Sequence, residues 1–475
     1  MNKKRIDILK LVLFIFSIIG IMSYISYFIT KDFVVILEDE LELIIPRLVR
    51  SNIYFNDRVG GLGRFCPLQF FDYYLLKLIN IEKYNSVMFQ WFIIFKLFLI
   101  TFLFIKILFD MNKFLNIKKN LLIMFFTFLF FLSFKESFKV TFEIKYTELS
   151  QIIFVLLFIL FYQKAYFTNK LIYYILAFLF AVYASYMKET MFVPFFTIGV
   201  CDLFFNKKSQ NEKFLKSRRK LFDLSLIFSG FVLLLLLYFC IVFLNTDEFY
   251  NNFVIYHEFY WCLTDVFMIL LFILPLFKIK KVFKRQLNYA DYFLFAGMGY
   301  SMAICLLKLG EIFYHIISYT FFVIYIYNLF ITTKNKYIKT LIPIMCLLIS
   351  VQGISCNKNT YKYYLQPRRT STIEFNNYIN QSTKIASIAF VEDSQLIYLV
   401  DLYEYYNIIM QQNKHFEFIN YKDFKERDLN DYDIVFMPTF SENFDMVNNN
   451  SKLTKFELPL FWGYATAYKV NKNIK

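Results

Sequence analysis

Charge is scarce in this chain. Of its 475 residues only 19% are Asp, Glu, Lys or Arg, while 58% are hydrophobic and 22% aromatic. Soluble proteins carry roughly a quarter charged residues, so a set of ordinary soluble domains is excluded. Glycine and proline are also rare, at 11 and 8, which excludes collagen-like and low-complexity readings. It also speaks against a transporter built from Gly/Pro-broken helices in matching halves; no such halves and no 20–50-residue repeats are found. The seven cysteines (66, 201, 240, 262, 305, 346 and 356) contain no C-x-x-C pair, and there are three histidines. Neither a disulfide framework nor a zinc site follows from that pattern. Gly60-Gly61-Leu62-Gly63 lacks the strand before and helix after that a dinucleotide fingerprint needs.

What the chain has instead is long apolar runs, with 64 Phe and a mean hydropathy of +0.46. Crossing a hydrocarbon core of about 30 Å takes roughly 20 mostly apolar residues as helix. Leu9–Ile29 is such a run, preceded by Lys3, Lys4 and Arg5, and no small-residue cleavage site follows it. It reads as a retained span and not as a signal peptide. Further runs are Val87–Phe109, Leu121–Phe134, Leu149–Tyr162, Leu171–Met187, Thr190–Phe204, Leu224–Leu244, Val266–Phe277, Tyr289–Leu307, Ile316–Ile331 and Ile338–Ile354. The expected fold is an all-α polytopic membrane protein of about eleven transmembrane helices over residues 1–354. The third, fourth and eighth runs are short. A small α/β domain is expected over 355–475, where composition turns polar and 14 basic residues balance 14 acidic ones.

The net charge of +15 invites a nucleic-acid reading, but its distribution argues otherwise. With a cytoplasmic N-terminus, the cytoplasmic segments are 1–10, 110–120, 163–170, 205–222, 278–287 and 332–339. They hold 24 Lys and Arg against the three acids Asp7, Asp110 and Glu212. Lys/Arg excess in short loops is the orientation signal of a bilayer protein. The dense run from Lys207-Lys208 to Arg218-Arg219-Lys220 is then a loop beside anionic lipid, and no nucleic-acid partner is expected. The expected location is a bacterial inner membrane with the C-terminal domain extracytoplasmic.

On the external side, the loop 30–86 opens with Glu38-Asp39-Glu40-Leu41-Glu42. Carboxylates this close raise one another's pKa, a setting for a general base or a cation site. A divalent cation at Glu38, Asp39 and Glu40 is compatible with these acids; no other cofactor is expected, and no metal site is assigned elsewhere. Asp57-Arg58 is an alternative acidic site. Further polar residues mark the outer ends of the spans: Glu143, Lys145 and Glu148; Lys188-Glu189 with Pro194 after them; Asp247, Glu248, His257 and Glu258; and Lys308, Glu311, Tyr314 and His315. Taken singly, each is an ordinary loop residue. Together they describe one face of the membrane.

In the C-terminal segment, Thr372–Gln381 reads as a helix with Ile373, Phe375 and Tyr378 inward, and Gln395–Gln412 is helix-length. Lys384–Val391, Asp433–Met437 and Gly463–Val470 read as strands. No catalytic set is evident there, so the domain is expected to support the chain or to bind an acceptor.

A first span, an external loop opening on an acidic pair, a Pro-Leu segment before span two and an external C-terminal domain together resemble the GT-C superfamily of integral-membrane glycosyltransferases. Members include protein O-mannosyltransferases, lipid A aminoarabinose transferases and O-antigen glucosyltransferases of the serotype-converting kind. The resemblance spans roughly residues 1–330 in layout. It implies a polyprenyl-phosphate- or pyrophosphate-linked sugar donor and a glycan, lipid or protein acceptor. Asp39-Glu40 matches the family's catalytic acidic pair, with Asp39 as candidate base. Gly63-Arg64-Phe65-Cys66-Pro67-Leu68 resembles the basic and Pro-Leu stretch before span two. Tyr186-Met187-Lys188-Glu189-Thr190 resembles the Lys-Glu/Pro-Thr element, which implies a donor-phosphate contact through Lys188. Lys308 to His315 takes the place of a later basic, Tyr-rich element. The several acids around Asp39 leave the base open to a one-residue shift, and Leu41 and Leu43 stand where the family usually has aromatics. A lipid-linked polysaccharide polymerase or ligase and a transporter or flippase are the competing classes.

Overall fold

The computed structural model describes residues 3–32, 86–135, 137–142, 147–206, 217–243, 264–306, 312–382, 384–389, 414–420, 431–438, 453–455 and 465–471. They are mostly helical. Phe- and Ile-rich segments favour strands in water, but a backbone in lipid must satisfy its own N–H and C=O groups, and a helix does so within one segment.

The helices are α1 (Lys3–Asp32), α2 (Ser86–Phe114), α3 (Leu121–Leu132), α4 (Ser137–Phe142), α5 (Glu148–Thr168), α6 (Leu171–Met187) and α7 (Phe192–Phe205). They continue with α8 (Arg218–Phe243), α9 (Val266–Leu276), α10 (Ile279–Phe283), α11 (Tyr289–Leu306), α12 (Ile316–Thr332), α13 (Lys336–Thr360) and α14 (Gln366–Gln381). Each of the eleven apolar runs overlaps one of these helices. Four stretches are long and apolar enough to cross a membrane by length and composition: Ile8–Thr30, Phe89–Phe114, Glu148–Thr168 and Lys336–Tyr363.

The fourth run is longer in the structure than in the sequence. Helix α5 has 21 residues, about 32 Å at 1.5 Å per residue, because polar Gln163 and Lys164 continue the turn pattern beyond Tyr162. The third and eighth runs stay short. Helices α3 and α9 have 12 and 11 residues, each under about 20 Å.

Side-chain caps define several ends. Asn120, Asp265 and Asn335 accept the N–H of Ile123, Phe267 and Tyr337 at 3.2, 2.8 and 2.9 Å, filling donors that a helix start leaves open. Asn169 ends α5 in the left-handed conformation, φ 53°, a role Asn tolerates better than most residues.

Contacts between helix ends fall into two groups. At the basic end, Asn112 of α2 donates to Tyr327 of α12, Leu287 N donates to Phe205 O at 3.0 Å, and Arg218 reaches Asn169 O at 3.4 Å. At the opposite end, Ser133 bonds Ser350 at 2.9 Å, and Asn357 of α13 donates to Phe134 O at 2.7 Å. Gly353 lies so close to this corner that an added Cβ would overlap the Ser133 carbonyl oxygen; small residues allow such backbone approach in membrane bundles.

Helix α12 is the axis of the bundle, with every residue from Ile316 to Asn328 buried. It packs on α11, which also lies along α7, while α7 packs on α8 and α5 on both α6 and α2. Helices α1 and α13 lie at the edge, with Phe16, Tyr337, Leu347 and Ile354 among their exposed side chains. Lipid is the natural cover for such faces.

Helix α13 does not stop at Ile354. Through a π-helical turn at Tyr361–Leu365 it runs directly into α14, so the boundary expected between 354 and 355 falls inside a helix. Helix α14 begins at Gln366, six residues before the expected Thr372; Ile379 is fully buried, Ile373 and Tyr378 are partly buried, and the side chain of Phe375 lies outside the described residues.

Beyond it lies a five-stranded sheet of β1 (Lys384–Ala389), β2 (His415–Asn420), β3 (Ile434–Pro438), β4 (Leu453–Lys455) and β5 (Ala465–Val470), in the order β2-β1-β3-β5-β4. Strand β1 is parallel to β2 and β3, and β5 is antiparallel to β3 and β4; Ile385 pairs with Phe416 and Ile434, and Val435 with Tyr468. Strands β1, β3 and β5 match expected strands, whereas β2 and β4 were not anticipated. Tyr378 donates to Asp433 O at 3.3 Å, and Lys414 donates to Asn380 O and Ser382 O at 2.9 and 2.7 Å, tying α14 to the sheet. Partial burial lowers the pKa of that Lys414 ammonium, against the pull of Asp433. The expected helix at Gln395–Gln412 lies outside the described residues.

Candidate functional site

The predicted site residues that the structure describes gather at the opposite end of the bundle. Lys188 breaks the apolar stretch. Its backbone is extended, φ −156° and ψ 130°, between the end of α6 and a 3-10 turn at Glu189–Met191. Pro194 then sits in the first turn of α7, where its missing N–H costs nothing. This kink turns the Lys188 side chain inward, where Nζ donates to Glu148 Oε1 at 3.0 Å with both side chains buried. The same ammonium lies 3.6 Å from the ring centroid of Tyr314, a cation–π contact.

Beside it, His315 closes the 3-10 turn Ile312–His315 and stands at the N-cap position of α12. Its Nδ1 is 2.9 Å from Ser301 Oγ; Ser301 donates to Ser318 at 2.7 Å, and Ser318 donates to Gly297 O at 2.8 Å. Gly297 lets the two helices approach closely there, since an added Cβ would come 3.0 Å from Ser318 O. On α5, one turn beyond Glu148, Gln151 donates to Thr147 Oγ1 at 2.8 Å. The Gln151 carbonyl oxygen and the Thr190 hydroxyl are buried and make no hydrogen bond. Also at this end, Lys135 pairs with Asp265 at 2.8 Å.

Glu148, Lys188, Tyr314 and His315 therefore meet, although they come from three separate stretches of sequence. Glu189 lies in the 3-10 turn beside them, and its side chain is outside the described residues, as are Glu38, Asp39, Glu40, Arg64, Lys308 and Glu311. Among the described residues no group of His, Cys, Asp or Glu could hold a metal ion. Chemically, the site offers an ammonium paired with the Glu148 carboxylate, together with buried hydroxyl and amide oxygens. An anion entering here competes with Glu148 for Lys188.

A second buried cluster, at the basic end, was not anticipated. Asp202 of α7 is fully buried and takes two hydrogen bonds from the Arg219 guanidinium of α8, Nε at 2.7 Å and Nη2. It also accepts from Tyr162 at 3.2 Å, Tyr292 at 2.9 Å and Asn206 at 3.2 Å. Arg219 stacks 4.2 Å over the Tyr166 ring. Nearby, Asp291 pairs with Lys278 at 2.7 Å and Lys281 at 3.3 Å. The signal was present in the sequence: Asp202 is an acid inside an apolar run, and such residues demand a partner. The arginine that answers it belongs to the dense basic loop read above as an orientation signal.

No protein-family model, curated protein or solved structure matches this chain.

Proposed function

We propose that this chain is a multi-pass membrane glycosyltransferase of the GT-C type, moving a sugar from a polyprenyl-phosphate-linked donor to an envelope glycan, lipid or protein. In this reading eleven helices cross a bacterial inner membrane, with the N-terminus cytoplasmic. The polar end then faces outward, as does the C-terminal α/β domain, which offers a surface for the acceptor. The observation that carries the reading is the meeting of Glu148, Lys188 and Tyr314 at one end of the bundle. A buried ammonium there is where a lipid-linked phosphate would be met.

The chemistry is a single displacement. Asp39 or Glu40 takes the proton of the acceptor hydroxyl, and the oxygen attacks the anomeric carbon. The bond from that carbon to the phosphate oxygen breaks, and the lipid phosphate leaves with its charge stabilised by Arg64, Lys188 or Lys308. One carboxylate base and one step invert the anomeric centre.

The test uses membranes carrying the full chain and a radiolabelled polyprenyl-phosphate sugar. Asp39→Asn or Glu40→Gln is expected to lower transfer about 10²–10⁴-fold, the usual worth of a general base. Full activity in both variants would sink the base assignment. Failure of the parent chain to transfer from any lipid-linked donor supplied would sink the enzyme reading.

A further inference from the structure

Asp223 is the residue of the basic end that the cluster above leaves unexplained. It stands one turn after Arg219 on α8, where an i,i+4 ion pair would be ordinary. Arg219 is instead committed to Asp202. Asp223 is fully buried, and neither carboxyl oxygen makes a hydrogen bond. The helices are at close quarters here: a Cβ added to Gly199 of α7 would come 2.8 Å from Asp223 O and 3.2 Å from Leu226 Cβ. An ionised carboxylate in that position would carry a desolvation cost with no partner to offset it.

We propose that Asp223 is a proton-binding site at the basic end of the bundle. Its carboxyl group is held there as the neutral acid, and it exchanges its proton with water at that face. Loss of the proton places a second carboxylate beside Arg219, in competition with Asp202, and loosens the junction of α5, α7, α8 and α11 that this pair holds.

The groups facing Asp223 set the balance. Asp202 comes from α7 and Tyr162 from α5, Arg219 stands on its own helix, and α6 contributes Tyr174, packed at a tilt against the adjoining Phe222. Asp223 lies one residue before the apolar run Leu224–Leu244. Burial pushes its carboxyl above the ordinary carboxylate range, the negative charge of Asp202 adds to that, and Arg219 opposes it. The sign for stability follows. Between the ordinary carboxylate pKa of about 4 and the raised folded value, the folded state holds one more proton than the unfolded chain. Stability therefore falls as pH rises through that window.

This proposal does not rest on the transferase reading, and its test reads no transfer activity. Infrared difference spectra of the full chain in lipid nanodiscs, labelled with 13C-aspartate, are recorded between pH 5 and 9. The expected result is an isotope-shifted carbonyl stretch of an undissociated acid at pH 7, absent from Asp223→Asn. If no aspartate is protonated at pH 7, or the band survives in Asp223→Asn, the proposal is overturned. Should that variant fold poorly, the labelled parent chain still decides through the presence or absence of the band. Thermal unfolding in detergent supplies the other arm. The parent chain should lose stability from pH 5 to 9 more steeply than Asp223→Asn, with sodium and choline chloride giving the same curve. Stabilisation by sodium alone would mean that the site takes a metal cation, and the proposal would fail.

Discussion

The two ends of the bundle each bury an ion pair beside unpartnered oxygens, those of Asp223 at the basic end and of Gln151 and Thr190 at the other, and they differ in how many donors the paired carboxylate receives. At the basic end, Asp202 receives Arg219, Tyr162, Tyr292 and Asn206, so four residues saturate one carboxylate. At the opposite end, Lys188 gives Glu148 one hydrogen bond at 3.0 Å, and buried oxygens of Gln151 and Thr190 beside the pair go without. A saturated network rigidifies and specifies packing, whereas an incomplete one is costly unless something else completes it. The first arrangement suits a lock. The second suits a place where a ligand enters.

The largest expected effects come from breaking the two ion pairs. Arg219→Ala leaves Asp202 buried with hydroxyl and amide donors but no cation, and should cost about 3–5 kcal/mol, read as thermal unfolding in detergent. A loss no larger than that of a surface pair would mean that the basic end is not held by this contact. At the other end, Lys188→Met leaves the buried Glu148 carboxylate without its ammonium, and its cost falls in the same range, about 3–5 kcal/mol. If the two ends differ as argued, Lys188→Met reduces lipid-linked sugar transfer at a temperature where the variant is folded, and Glu148→Gln does not restore it.

Between these in character is Gly353→Val. Its side chain meets the Ser133 carbonyl, and overpacking of this kind costs about 1–3 kcal/mol. Limited proteolysis should then find the α13–α14 rod released from the α3–α4 corner; unchanged protection would show that α13 is anchored elsewhere. The smallest effect is Lys281→Ala. Lys281 is the more exposed of the two partners of Asp291 and Lys278 remains, so about 0.2–1 kcal/mol is expected. A larger loss, read as the same unfolding shift, would extend the lock to α10.

Much of the fold was legible because a bilayer imposes a simple rule. Apolar runs must be helices, and each run proved to overlap one. What composition could not tell was length: polar Gln163 and Lys164 continue α5 past the end of its run, and Ser355 to Thr360 continue α13 past Ile354. Strand β4 escaped notice because LTK is only three residues long and pairing with β5 decides it, whereas HFEFIN of β2 alternates polar and apolar over its first four residues and was passed over. At the site, Glu148, Lys188, Tyr314 and His315 were legible as polar residues at span ends. Asp202 was passed over inside an apolar run, and Arg219 was read as one charge among seven in its loop.

By itself, the sequence determined that this protein is mostly apolar helix, since hydropathy is a local quantity that each segment carries alone. The tertiary structure decided which charges neutralise one another. Glu148 and Lys188 are 40 residues apart, Asp202 and Arg219 are 17, and each pair forms only when its helices pack side by side. Burial then turns an isolated ion into a cost that a neighbouring helix must meet.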